Sequence, residues 1–111
     1  MIFIETSVFS RRRAEHLDED DFRALQEALL FNATAGDVIQ GTGGLRKLRW
    51  SQAGRGKRGG VRVIYFPVLT RSVILLLLVY SKNEQDDLTP EQKRILRTLV
   101  KAELGQSAGE R

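Results

Sequence analysis

The stretch VRVIYFPVLTRSVILLLLVY, residues 61–80, decides the architecture. Its first part, Val61 to Val68, is rich in β-branched and aromatic residues, the side chains that suit a pleated backbone. From Val73 to Tyr80 every position is apolar, and a strand without a polar side must be central and covered on both faces. Leu69 to Ser72 joins the two runs, so a hairpin is predicted. The apolar run is far shorter than the ~20 residues needed to span a bilayer.

Working upstream, Leu45 to Ser51 reads as a short strand set between Gly41, Gly43 and Gly44 on one side and Gly54, Gly56, Gly59 and Gly60 on the other. Met1 to Thr6, with Ile2, Phe3 and Ile4, suits a first strand. Ser10 to Leu17 predicts one or two polar helical turns. Asp18 caps a second helix, Leu17 and Phe22 form its hydrophobic staple, and Glu19, Asp20 and Asp21 favour the positive end of its dipole. Phe22, Leu25, Ala28 and Leu29 share one face, which carries this helix to about Asn32, with a stop near Gly36.

Downstream, Thr89, Pro90 and Gln92 make a Thr-x-x-Gln capping box with proline at the first helical position. The buried face of that last helix is predicted at Ile95, Leu96, Leu99 and Val100. Gly105 to Arg111 reads as a polar, frayed tail. The order is strand, helix, helix, three antiparallel strands and a closing helix. This is an α+β domain over residues 1–105 with a flexible tail at 106–111.

A chain of 111 residues with 41% hydrophobic and 29% charged content closes one core. Cysteine is absent, which excludes disulfides and thiolate metal sites and suits a reducing cytoplasm. The Arg11, Arg12, Arg13 cluster follows the first apolar stretch, the reverse of a secretory signal.

Charge is distributed unevenly. Val38 to Asn83 holds nine basic residues, Arg46, Lys47, Arg49, Arg55, Lys57, Arg58, Arg62, Arg71 and Lys82, and no Asp or Glu, whereas both flanks are net acidic. One surface lysine is ordinarily a solubilising group. Nine cations without a compensating acid produce a summed field that suits a polyanion such as nucleic acid.

Strand alternation in LRKLRW, residues 45–50, puts Lys47 and Arg49 on one face and Arg46, Leu48 and Trp50 on the other. Leu48 and Trp50 belong to a packed face, leaving Lys47 and Arg49 as the solvent-facing pair and Arg46 leaning off the packed end. In AGRGKRGG, residues 53–60, glycines separate Arg55, Lys57 and Arg58, whose amides and side chains suit phosphates. The loop is not a Walker loop, because a strand follows it instead of a helix. Tyr65 and Tyr80 have two readings, stacking on bases or packing in the core. His16 is the only histidine and reads as a surface residue. A two-histidine acid–base ribonuclease is therefore excluded, and RNA cleavage here would rely on lysine, arginine and tyrosine, with guanidinium groups stabilising a pentacoordinate phosphorus.

GDVIQGTGGLRKLRW (36–50), GRGKRGGVRVIYF (54–66) and VYSKNEQDDLTPEQ (79–92) resemble the HigB branch of the RelE superfamily, toxins of type II toxin-antitoxin operons. FIET (3–6) and LQEALL (25–30) fall where that branch has its first strand and second helix. The resemblance implies a RelE-like α+β fold, a small antiparallel sheet packed by two N-terminal helices and one C-terminal helix. It also implies a cytoplasmic, ribosome-dependent endoribonuclease that cuts mRNA without metal or cofactor, by attack of the 2′-hydroxyl on the adjacent phosphate. A HigA-like helix-turn-helix antitoxin would neutralise it and link it to operator DNA.

Carried over position by position, the resemblance assigns catalysis to Lys47, Arg49, Arg62 and Lys82. Arg46, Arg55, Lys57, Arg58, Tyr65 and Asn83 are the expected RNA and ribosome contacts. RelE toxins have an arginine after the last basic residue and a tyrosine a little further on. Here Asn83 and the Asp86, Asp87 region stand in those places, so Tyr80 or a lysine is the expected general base. Two other readings remain open at this point, a ParE-like toxin of the same fold that inhibits DNA gyrase and a nucleic-acid-binding module without chemistry.

Overall fold

The computed structural model describes residues 1–51 and 60–109, with side chains through Gly105. In chain order the elements are β1 (Ile2–Glu5), α1 (Ser7–His16), α2 (Glu19–Phe31), β2 (Asp37–Val38), β3 (Arg46–Trp50), β4 (Val61–Val68), a short 3-10 turn (Leu69–Arg71), β5 (Val73–Ser81) and α3 (Pro90–Gly109). The strands make one sheet in the order β1-β5-β4-β3-β2. This is the expected α+β architecture. From β2 to β5 neighbours are antiparallel, while β1 lies parallel to β5, from Ile2 opposite Val73 to Glu5 opposite Leu76. Strands separated by this much chain are free of the direction that a tight hairpin imposes.

The apolar run does become an inner strand buried on both sides. One cluster, under α1 and α2, holds Phe9, Leu25, Leu29, Val63, Tyr65, Ile74, Leu76 and Val79, with Leu48 and Trp50 packed against it. The other, under α3, holds Leu45, Ile64, Leu75, Leu77, Tyr80, Leu96 and Val100. Alternation along β5 breaks once. Tyr65 pairs with Leu76 but Ile64 pairs with Leu78, so Leu77 is an extra residue, a β-bulge. Leu77 and Leu78 therefore both face α3, and the parity of Val79 and Tyr80 is reversed.

Thr6 secures this bulge. Its hydroxyl donates to the Leu77 carbonyl at 2.8 Å and accepts from the Phe9 amide at 3.0 Å, so one oxygen serves the bulge and caps α1. The cap explains why α1 starts at Ser7, earlier than the polar turns in the sequence suggested. Asp18 caps α2 as expected, accepting from the Asp21 amide at 2.7 Å.

At the other end, Thr89 and Gln92 form the reciprocal box, with bonds of 3.0 and 3.1 Å. α3 runs past Gly105, where a polar tail was expected, to Gly109. Its inner face also differs from expectation. Leu96 and Val100 are buried, with Leu104 packed beside them, while Ile95 and Leu99 are 50% and 43% exposed. Positions 96, 100 and 104 are one turn apart and meet the sheet together, which rotates the 95/99 pair outward. No helix among the described residues is long and apolar enough to cross a membrane.

Tyr65 holds the α2–β2 connection in place. Its ring is fully buried and its hydroxyl accepts from the Gly36 amide at 2.9 Å. A Cβ on Gly36 would stand 2.9 Å from the Lys47 carbonyl oxygen, so only glycine lets this connection approach β3. Tyr65→Phe keeps the ring and orphans the buried amide. We expect a loss of about 1–3 kcal/mol in urea unfolding with an unchanged m value. Unaltered stability would show that the bond contributes nothing.

Candidate nucleic-acid interface

The chain alternation of β3 works as the sequence suggested. Leu48 and Trp50 pack toward α1 and α2, which leaves Lys47 and Arg49 on the α3 side of the sheet. Arg49 pairs directly with Arg62 on β4, and Arg62 with Tyr80 on β5. Three strands thus place Arg49, Arg62 and Tyr80 in one row, with Lys47 two positions along β3 from Arg49. Residues directly opposite one another have Cβ atoms about 4.5–5.5 Å apart, and like charges there repel. Among the described residues no carboxylate lies within ion-pairing distance of Arg49 or Arg62.

A cleft of about 340 Å³ opens beside this row between β2, β3 and the start of α3, and is lined by Lys47, Arg49, Asp87 and Lys93 together with residues 37–40. Lys47 Nζ is 2.7 Å from Asp87 Oδ1. That hydrogen bond and the Lys47 charge hold the Asp87 carboxyl below its ordinary range, with smaller contributions from Lys93 and Arg49. Asp87 is therefore ionised at neutral pH and occupies the lysine. Lys93 escaped the sequence reading because it lies outside the acid-free stretch. Its signal was its place in the first turns of α3, where a cation opposes the helix dipole.

The structure corrects several expected assignments. Tyr65 is 0% exposed and on the α1–α2 side, so it has no face to offer a base. Arg46 donates to the carbonyls of Thr34 at 3.2 Å and Gly36 at 2.7 Å. It braces the α2–β2 connection on the opposite side of β3 from Lys47. Tyr80 lies on the cationic side but is 1% exposed, its hydroxyl making a long 3.4 Å contact with the Asp86 carbonyl. Burial first, then the Asp87 charge, push its phenol above the ordinary value. It keeps its proton at neutral pH and is unsuited to the general-base role.

Lys82 and Asn83 are exposed on the turn after β5, outside the cleft lining. Arg55, Lys57 and Arg58 lie outside the described residues. His16 is not a plain surface residue. Its Nε2 is 3.0 Å from Glu84 Oε1, and Arg12 bonds both Glu84 and the Val79 carbonyl. These bonds tie α1 to the end of β5.

Residues 2–110 match the family model described as the RelE toxin of the RelE / RelB toxin-antitoxin system. The chain belongs to the RelE toxin family. Its fold is similar to that of E. coli toxin RelE, a double-arginine mutant in the free state. That match has a TM-score of 0.55 and 12% identity, over 77% of this chain and 86% of that one.

Glu84 gives the junction of α1 with the end of β5 a pH dependence. The Ser81 amide first, and then Arg12 and His16, hold its carboxyl below the usual range. A carboxyl depressed by folding contributes stability that is present above its unfolded pKa and is lost as pH falls through the folded one. Glu84→Gln should lower the melting temperature near pH 7, and the gap to the parent should close as the pH is taken to about 3. A gap that stays constant over that range would rule out the ionic contribution.

Proposed function

We propose that this RelE-family chain is a HigB-type mRNA interferase, acting in the cytoplasm on ribosome-bound mRNA and restrained by a HigA-like helix-turn-helix antitoxin encoded beside it. The observation that carries this reading is the repulsive pair Arg49 and Arg62, directly opposed on rigid strands, with Lys47 near them and a cleft lined by Lys47 and Arg49 alongside. A phosphate between these groups relieves the repulsion, and a pentacoordinate phosphorus with its extra negative charge relieves it further. In the proposed reaction the 2′-oxygen bonds to phosphorus and the P–O5′ bond breaks. The 2′-hydroxyl passes its proton to solvent water and the 5′-oxygen takes one from the Lys47 ammonium, which is reprotonated from solvent, leaving a 2′,3′-cyclic phosphate and a 5′-hydroxyl. Arg49 and Arg62 stabilise the charge, and Lys47 delivers the proton to the leaving oxygen. Lys82 and Asn83, off the row, contribute to binding, as do Arg55, Lys57 and Arg58.

Single-turnover cleavage on programmed ribosomes tests the assignment. Arg49→Ala, Arg62→Ala and Lys47→Ala should each lower the bound-state rate by about a hundredfold, with much smaller effects on affinity. Parental rates in the strand variants would overturn the catalytic roles. Growth arrest with translation intact and supercoiling lost would favour the gyrase reading.

Asp87 competes with phosphate for Lys47 in this scheme. Asp87→Asn should therefore bind an RNA oligonucleotide more tightly than the parent at low ionic strength, with the difference fading as salt is added. Weaker binding would instead make Asp87 the group that positions Lys47.

A further inference from the structure

α3 carries a second cationic surface that neither the acid-free stretch nor the row on the sheet includes. Arg94, Arg97 and Lys101 are all exposed and recur at i, i+3 and i+7, which sets them along one stripe about 10 Å long. With Thr98 they line a shallow depression of about 220 Å³. Among the described residues no carboxylate lies within ion-pairing distance of any of the three. Exposed Ile95 and Leu99 flank the stripe, and the one exposed acid described on this helix, Glu91, lies a turn before Arg94 without forming an ion pair.

The stripe is joined to the cleft. Lys93, one residue before Arg94, lines the cleft. Arg97 Nη1 reaches the Gly41 carbonyl at 3.4 Å, and Gly41 follows the residues 37–40 that form the cleft's other wall. Cations therefore extend from Arg49 and Lys47 through Lys93 to Arg97, Arg94 and Lys101, with Asp37 and Asp87 the acids beside them in the cleft. Two guanidinium forks on a rigid helix match phosphate oxygens better than they match a flexible acidic peptide, whose carboxylates would have to be ordered on binding.

We propose that Arg94, Arg97 and Lys101 form a second phosphate-backbone site that docks the protein onto RNA away from the bond being cut. This rests on the interferase reading for what the docking serves, but the site itself is defined by binding alone. Its ligand is the backbone of the substrate strand beyond the cut, because the stripe adjoins the cleft through Lys93 and Arg97.

The test uses the full chain with Arg94→Ala, Arg97→Ala and Lys101→Ala combined, and Arg71→Ala as a control cation on the far turn of the β4–β5 hairpin. Melting temperature and far-ultraviolet dichroism confirm folding, and Arg94→Lys with Arg97→Lys provides a second, charge-preserving variant. Affinity is measured against salt for a single-stranded RNA oligonucleotide and for programmed ribosomes, alongside single-turnover cleavage. We expect the triple variant to bind at least tenfold more weakly at low salt and to lose about 2 from the slope of log K against log salt. The lysine variant should keep most of the slope. Loss on both ligands supports the substrate strand, and loss on ribosomes alone overturns it in favour of ribosomal RNA.

An unchanged slope on both ligands overturns the proposal, as does an equal loss with Arg71→Ala. Loss of affinity only for an acidic antitoxin peptide also overturns it, in favour of a protein-binding surface. If the parent binds RNA through α3 yet cuts nothing on ribosomes, the docking site stands and the interferase reading falls.

Discussion

The arrangement depends on one extra residue in β5. With strict alternation from Ile74 onward, Tyr80 would share the side of Leu76 and face α1 and α2. The bulge at Leu77 reverses that parity, so Val79 turns under α1 and Tyr80 turns toward α3, opposite Arg62. Such an insertion leaves a backbone group without its ladder partner, and the Thr6 hydroxyl supplies one to Leu77. The N-terminal strand, the first helix cap and the floor of the cationic row are thus coupled through a single side-chain oxygen.

The row sets function against stability. Arg49 opposite Arg62 is an unfavourable cross-strand pair, kept in place by main-chain bonds and by the burial of Val63, Ile64 and Tyr80 around it. A local violation of this kind, in a sheet whose other features agree with one another, is where a site is expected. Asp87 moderates it by occupying Lys47 on the exposed side of the cleft. The cations thus face the position where an anion would sit, on strands that fix their direction.

The parts legible in the sequence were those with a strong local pattern. Residues 73–80 could only be an inner strand, Thr89 to Gln92 could only begin a helix, and Leu48 with Trp50 fixed the direction of Lys47 and Arg49. The bulge was not legible, because Leu75 to Leu78 are identical and nothing marks which leucine is extra. β2 has two residues, too few for any period. Ile95, Leu96, Leu99 and Val100 make a wide apolar arc, and which half is buried depends on where the sheet lies. Tyr65 and Tyr80 look alike in a strand, and their burial is a tertiary fact. Arg94, Arg97 and Lys101 were hidden by averaging, since the acids from residue 84 onward cancel them in the charge count, whereas the helix sets the three cations along one stripe.

The pairing of β1 with β5 also has a meaning during synthesis. Ile2 finds its partner only at Val73, so the first strand emerges unpaired and waits while the intervening chain is made. At roughly 5–20 residues per second that wait lasts roughly 4–14 s. Throughout it Thr6 has no bulge to bond, and the opposed arginines have no completed sheet behind them. The cationic row therefore stays unassembled until β5 has been made. Edge pairing of β1 with β5 thus works as a timer, delaying an exposed cationic surface until the chain has been made past residue 81.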